Sequence, residues 1–404
     1  MRVRAAAVLA ASLLVTSCSS EQEQPSPQST EQPPVTTKPA TQLVNPPRQF
    51  EPKGERVGTT PFTLTGDAVA SVDTGERPKI RVFGLDGEPR KEFPIEVPQK
   101  AKVSAPYGLE DGSLVLLAVA HTVKGTGTSQ DHMRYTVIAY NPKTGAKAWE
   151  SPIDASDALL LPDNTPRIVG ADRNTVVVEA DLLKVSATVA LSTVDGTPKW
   201  NKPGFTAIGL AGDIVVGHHV TKGITTEAVG LAAGDGAQRW TGPKFDGEPR
   251  HPFSRTRMVG DRLASFAGTP AGELAKTTTY LLDTATGQPR LTLDGPWSCD
   301  SDDENAVVCG RSFYGQYMAG FDATSMSKRW ELPDKAAKRE APTLNTAHKG
   351  VAYVTSSHGL MTLDARTGKD LDPTLGELDD LDYVVPGYGI SVVRDTVWAH
   401  RAVR

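Results

Sequence analysis

No stretch of this 404-residue chain shows the three-to-four apolar spacing of a long amphipathic helix, which excludes helical bundles and helical repeats. It has no run of Lys or Arg, and its formal charge is −5, so it offers no electrostatic footprint for nucleic acid. The eight histidines are scattered, and the adjacent His218 and His219 would point to opposite faces of a strand rather than to one metal. There is no Gly-x-Ser-x-Gly elbow, no His-Glu-x-x-His and no glycine-rich phosphate loop. Nothing therefore assembles a nucleophile with its base. Cysteine is scarce as well: Cys18, Cys299 and Cys309 are all there are, and no two are adjacent.

What the chain does have is glycine, proline and a recurring phrase. Its 37 glycines and 30 prolines suit many turns. The segment "AYNPKTGAKAWE" (Ala139 to Glu150) returns as "ALSTVDGTPKW", "GLAAGDGAQRW", "LLDTATGQPRL", "GFDATSMSKRW" and "TLDARTGKDL", with a shortened copy, "FGLDGEPRKEF", ahead of them. Aligned on the turn, Gly145, Gly196, Gly236, Gly287 and Gly368 share a column with Gly87, and Met326 stands in it once. Four residues later comes Trp149, Trp200, Trp240, Leu291 or Trp330.

Each phrase reads as a β-hairpin whose tip is Asp-x-x-Thr-Gly, with Asp or Asn bonding the turn backbone and Gly at the φ > 0 position. Met326 is accordingly expected to sit in a different kind of turn. A further β-branched run, such as "TVVVEA" or "AVVCG", precedes most hairpins, giving eight such runs against seven tips. Tips recur roughly every 40 to 58 residues, the period of a four-stranded blade.

The pattern Ala/Leu-x-Asp-x-x-Thr-Gly-x-x-x-Trp resembles the repeat of the pyrroloquinoline-quinone-type (PQQ-like) β-propellers, over nearly all the chain from Arg56 onward. The resemblance implies an all-β propeller of four-stranded blades, in which Trp149, Trp200, Trp240 and Trp330 pack between neighbours. Eight blades are expected, with seven as the alternative. The last run, "ISVVR", and "DTVWAHRAVR" after it cannot form a blade alone, so an N-terminal strand from Val57 to Gly66 is expected to close the ring.

The family contains quinone-dependent dehydrogenases, but also propellers without cofactor: a lipoprotein of the outer-membrane barrel-assembly machinery and extracytoplasmic domains of sensor kinases. Its dehydrogenases carry an adjacent Cys-Cys pair and a calcium site, neither of which has a counterpart motif here. The reading is thus a noncatalytic scaffold that binds a protein partner or envelope component, with no cofactor and no metal. A quinone-dependent oxidoreductase and a ligand-sensing propeller are the alternatives. Two long inserts, His121 to Val137 and Phe266 to Tyr280, are places to look for a partner surface.

The N-terminus, "MRVRAAAVLAASLLVTSC", has Arg2, Arg4, an apolar stretch too short for a permanent span, and a lipobox-like Val15-Thr16-Ser17-Cys18. Residues 1–17 read as a lipoprotein signal peptide and Cys18 as the lipidated residue, which would hold the chain on the extracytoplasmic face of the cell membrane. Its removal takes two arginines, lowering the formal charge from −5 to −7. Residues 18–56, rich in Pro, Gln, Ser and Thr, read as a tether, and 57–404 as the propeller.

Cys299 and Cys309 are expected to pair, as an even remainder in an exported chain does. They could not reach each other if they lay on different blades, since the Cα atoms have to come within about 7 Å. Between them, "DSDDEN" reads as a solvated acidic turn, because it lacks the ligand rhythm of a calcium loop. "GELDDLDYV" reads the same way.

Overall fold

In the segment "AYNPKTGAKAWE" the chain runs along His132–Tyr140, turns, and returns as Lys147–Ile153. Asn141 Oδ1 accepts from the backbone N–H groups of Lys143 and Thr144 at 2.9 and 3.1 Å. Gly145, at φ 77°, donates its N–H to the Asn141 carbonyl at 2.8 Å. Asp283, Asp322 and Asp364 hold their own turns with the same side-chain oxygen. The repeated Asp and Gly are therefore one local device, legible because every bond in it spans four residues or fewer.

The computed structural model describes residues 45–129, 131–153, 165–180, 186–220, 225–246, 256–270, 277–311, 316–372, 378 and 381–403, all within one compact unit, Leu43–Arg404. Among them there is no helix, and the strands form seven antiparallel sheets of a β-propeller, five of four strands, one of five and one of eight, the last joining two successive four-stranded units. Blades 1 to 7 take their strands from 62–94, 102–153, 167–203, 205–246, 257–294, 298–332 and 343–372. Blade 2 splits its first strand into two short pieces, and the end of blade 4 also pairs with the second strand of blade 5. The eighth unit joins Tyr383–Val385, Tyr388–Val393 and Thr396–Arg401 to Glu55–Thr59, in that order.

In each of blades 1 to 7 the repeated hairpin forms the third and fourth strands, and the β-branched run before it is the second. Thr175–Ala180 is buried at every position, because a neighbouring blade covers each of its faces; hence an unbroken TVVVEA rather than an alternating pattern. The outer strand Lys147–Ile153 alternates between exposed and buried residues, as a strand with one wet face must. First strands of successive blades touch, from Phe62–Thr65 round to Tyr383–Val385. Phe62 and Tyr383 then meet edge to face, with ring centroids 5.8 Å apart.

Three expectations change at this level. The segment 57–66 is not a single closing strand. Glu55–Thr59 pairs with Thr396–Arg401 as the outer strand of blade 8, while Phe62–Thr65 starts blade 1. Blade 8 also begins earlier than "ISVVR", with Tyr383–Val385 from the acidic stretch.

The tether reading of 18–56 fails at its end. Phe50 is 3% exposed and bridges Ala402, and Tyr353 donates its hydroxyl to the Pro47 carbonyl at 2.5 Å. One aromatic was enough to fold this stretch because the cavity it fills belongs to residues some 300 positions away.

Met326 does take the left-handed conformation, at φ 55°, and donates to Asp322 at 2.8 Å just as the glycines do to their own residues. It tolerates this because the previous blade presents Leu291 in place of tryptophan, leaving volume that the methionine side chain fills in the same apolar cluster.

Candidate functional site

The most strongly repeated side-chain arrangement lies between blades. Trp149, Trp200, Trp240 and Trp330 each donate their indole N–H to a carbonyl in the next blade's turn: Thr193 at 2.8 Å, Ala233 at 2.9 Å, Thr284 at 2.8 Å and Ala365 at 2.9 Å. Their rings lie on the turn glycine itself. A Cβ added to Gly196, Gly236, Gly287 or Gly368 would come within 2.6, 2.9, 2.3 or 2.5 Å of the tryptophan. Trp149 and Trp240 are buried, and Trp200 and Trp330 half-buried. Glycine in this column thus serves two ends, the positive φ and the close approach.

Other junctions use variants of the contact. Phe93 of blade 1 lies against Gly145, and Glu55 of the N-terminal strand lies against Gly87 of blade 1. Between blades 7 and 8 the outer strand is short, Asp370–Asp372, and Phe50 enters the cluster formed by Val351, Tyr353, Leu360, Leu378 and Leu381. Gln49 Nε2 donates to Asp372 Oδ1 at 3.2 Å beside it.

The remaining sites expected from the sequence are placed as follows. Cys299 and Cys309 face each other on the first and second strands of blade 6, with Cα atoms 4.0 Å apart, and are bonded. They share one blade because "CDSDDENAVVC" is a hairpin within it, so no inter-blade gap has to be spanned. Cys18 lies outside the described residues, as do the tether up to 44 and parts of both long inserts.

In the acidic turn, Asp302 is 1% exposed and its Oδ1 accepts from the N–H groups of Glu304, Asn305 and Ala306 at 2.8 to 2.9 Å. Asp300 Oδ2 reaches into blade 7, accepting from Thr346 Oγ1 and Ala347 N, both at 3.0 Å. Burial, then the nearby Asp261 and Asp300, pushes the Asp303 carboxyl above its ordinary range. Two of these carboxylates thus tie turns and blades together, and among the described residues no group of three acidic, His or Cys side chains is arranged to hold a metal. In "GELDDLDYV", Asp382 accepts from Val392 N at 2.8 Å, while Glu377, Asp379 and Asp380 lie outside the described residues.

One pair that sequence reasoning missed looks at first like chemistry. Ser391 Oγ and His400 Nε2 are 2.9 Å apart on adjacent strands, and His400 Nδ1 meets the Glu51 carbonyl at 3.2 Å. Both side chains are 5% exposed, and the Gly54 backbone presses on the imidazole, so that a Cβ there would lie 2.7 Å from it. No space is left for a substrate beside the hydroxyl, and the third member is a backbone carbonyl instead of a carboxylate. Burial lowers the His400 pKa, partly offset by the carbonyls of Glu51 and Pro52. The neutral imidazole clamps the N-terminal segment to blade 8.

Exposed charged side chains likewise pair with one another. Arg90 grips Asp67 with two bonds of 2.8 Å, and Arg329 pairs with Asp322, the turn residue of its own blade. A shallow hollow of about 430 Å³ on blade 1 is lined by Arg81, Phe83, Arg90 and Glu92, but Arg81 already binds Glu92 at 3.0 Å. Glu179, 3% exposed, faces Arg167 at 2.5 Å within blade 3.

Residues 133–371, which hold all four blade-to-blade tryptophan contacts, match the PQQ_2 family model, described as outer membrane protein assembly factor BamB. The chain belongs to this family. Among solved structures, the Dos1 propeller is similar to it with a TM-score of 0.53 at 11% identity, covering 88% of this chain and 94% of that one. BamB from Moraxella catarrhalis aligns at 16% identity over 70% of this chain and 96% of its own, with a TM-score of 0.31. A europium-containing methanol dehydrogenase aligns at 11% identity over 83% and 81%, with a TM-score of 0.44. The likeness to the Dos1 propeller speaks to the fold alone. No curated protein matches the sequence.

Proposed function

We propose that this protein is a lipid-anchored, extracytoplasmic propeller that acts as a noncatalytic scaffold, holding a protein partner against the membrane. The observation that supports it is the way the polar side chains of this PQQ-repeat propeller are used. Turn aspartates, indole N–H groups and buried carboxylates are engaged in keeping blades and turns together rather than converging on a reactive centre. What such a fold has left to offer is its loops and faces. Cys18 would carry the lipid, and a tether from there to about residue 44 would set the distance from the membrane.

The test is photo-cross-linking of the full chain in its own membrane, with the probe placed in turn on the hairpin-tip face and on the opposite face. The scaffold reading expects one protein captured from one face, and captured no longer when charge-reversing substitutions are made on that face. Turnover with an artificial electron acceptor after loading with the quinone and calcium, at a rate above that of the denatured protein, would replace it with an oxidoreductase.

A further inference from the structure

One blade junction is built differently from those around it. Between blades 5 and 6, Leu291 stands in the tryptophan column and Met326 in the glycine column. The leucine side chain has no N–H to donate, so no buried indole bond like that of Trp240 crosses here, and the turn is held instead from the exposed edge, where the neighbouring Arg290 donates to the Thr324 carbonyl. Packed on the same face are the Cys299–Cys309 disulfide and Trp297, and all five residues belong to a single apolar cluster. Both cysteines are 0% exposed. Trp297 belongs to the start of blade 6, not to the outer strand of blade 5. It binds back to the Asp294 carbonyl at 2.9 Å and meets Tyr317 edge to face at 5.5 Å.

We propose that the disulfide stands in for the missing tryptophan contact, which makes the junction between blades 5 and 6 the redox-sensitive joint of the propeller. The bond pins the first and second strands of blade 6 at directly opposed residues, and those strands form the wall on which Leu291 and Met326 pack. Two free thiols need the van der Waals separation that bonded sulfurs do not. In a close-packed wall that volume has to come from displaced neighbours. Junctions with a tryptophan seated on glycine have no such dependence.

The step is thiol–disulfide exchange with a dithiol reductant. A thiolate of the reductant attacks one sulfur, the Cys299–Cys309 bond breaks, and a mixed disulfide forms. The second thiol of the reductant closes its own disulfide, and two electrons and two protons end on the cysteines. Because neither sulfur is exposed, the attack has to wait for the junction to open, so reduction reports that opening.

Hydrogen exchange of the full chain, before and after treatment with dithiothreitol, tests this. Reduction is expected to speed exchange in 289–294 and 298–311 by roughly tenfold or more, while the Trp200–Gly236 junction serves as an unchanged reference. In Leu291→Trp/Met326→Gly, which restores the common contact, reduction should no longer have this local effect. Should that variant fail to fold, Cys299→Val/Cys309→Val without reductant, which likewise places two unbonded side chains where the bonded sulfurs sat, carries the same expectation of local loosening. Equal acceleration at all junctions, no acceleration at blades 5 and 6, or an undiminished effect in the restored variant would overturn the proposal.

Discussion

Trp240 lies with its indole against Gly287 of the next blade and donates its Nε1–H to the Thr284 carbonyl at 2.8 Å. Ring, glycine and carbonyl come from two blades, so the contact forms only once both hairpins are made. It converts a local turn signal into a tertiary bond.

Removing either member should therefore be costly. Trp240→Ala is expected to destabilise by about 3 to 5 kcal/mol, the usual range for an aromatic removed from a core. Gly287→Ala should also destabilise, since φ is 70° there and the added Cβ would sit 2.3 Å from the ring. Denaturant unfolding measures both, and midpoints indistinguishable from wild type would dismiss the docking role.

Met326→Gly sets two effects against each other. Glycine relieves the left-handed backbone, worth about 1 to 2 kcal/mol. Deleting a side chain that is 7% exposed from a cluster costs more, about 2 to 5 kcal/mol. The net expectation is a lower melting temperature. A rise would mean that strain at this turn outweighs packing.

The N-terminal segment divides at about residue 45. Deleting 21–44 should leave the melting temperature nearly unchanged. Phe50→Ala should cost about 3 to 5 kcal/mol, because the ring fills the junction between blades 7 and 8. Deleting 45–59 also strips the outer strand from blade 8 and exposes an edge, so aggregation in size-exclusion chromatography is expected. Equal monomer yield from both deletions would count against closure by this segment.

Two histidines hold that segment, and their titration gives it a pH dependence. His348 Nε2 meets Asn45 Oδ1 at 2.8 Å, and burial lowers its pKa, as it does for His400. A folded-state pKa below the unfolded value of about 6.5 means that the unfolded chain binds more protons. The stability from these groups is present above that pH and is lost as pH falls through the folded values. Melting of wild type should decline between pH 7 and 5 more steeply than that of His400→Gln; parallel curves would show that the clamp does not titrate.

Lipidation is tested at Cys18. Cys18→Ala should move the chain from the detergent-dependent membrane fraction to a soluble or unprocessed form. Retention on the membrane without change would leave the anchor elsewhere.

Much of this propeller was legible in the sequence because its signals are short-range. Asp-x-x-Thr-Gly, the preceding β-branched run and a tryptophan four residues after glycine each report a bond or contact within one hairpin or on its neighbour. Periodicity alone was enough to propose blades. The tertiary structure decided the rest. It set where the tether ends, since Phe50 and Pro47 find their partners in blade 7, with Tyr353 lying 306 residues from Pro47. It allowed Met326 a left-handed turn, because the permission comes from Leu291 in another blade. It also brought Ser391 and His400 together against Glu51, across 349 residues. Local turn chemistry repeats and so can be read from the sequence; ring closure joins the two ends of the chain once, and no pattern along the sequence announces a contact made only once.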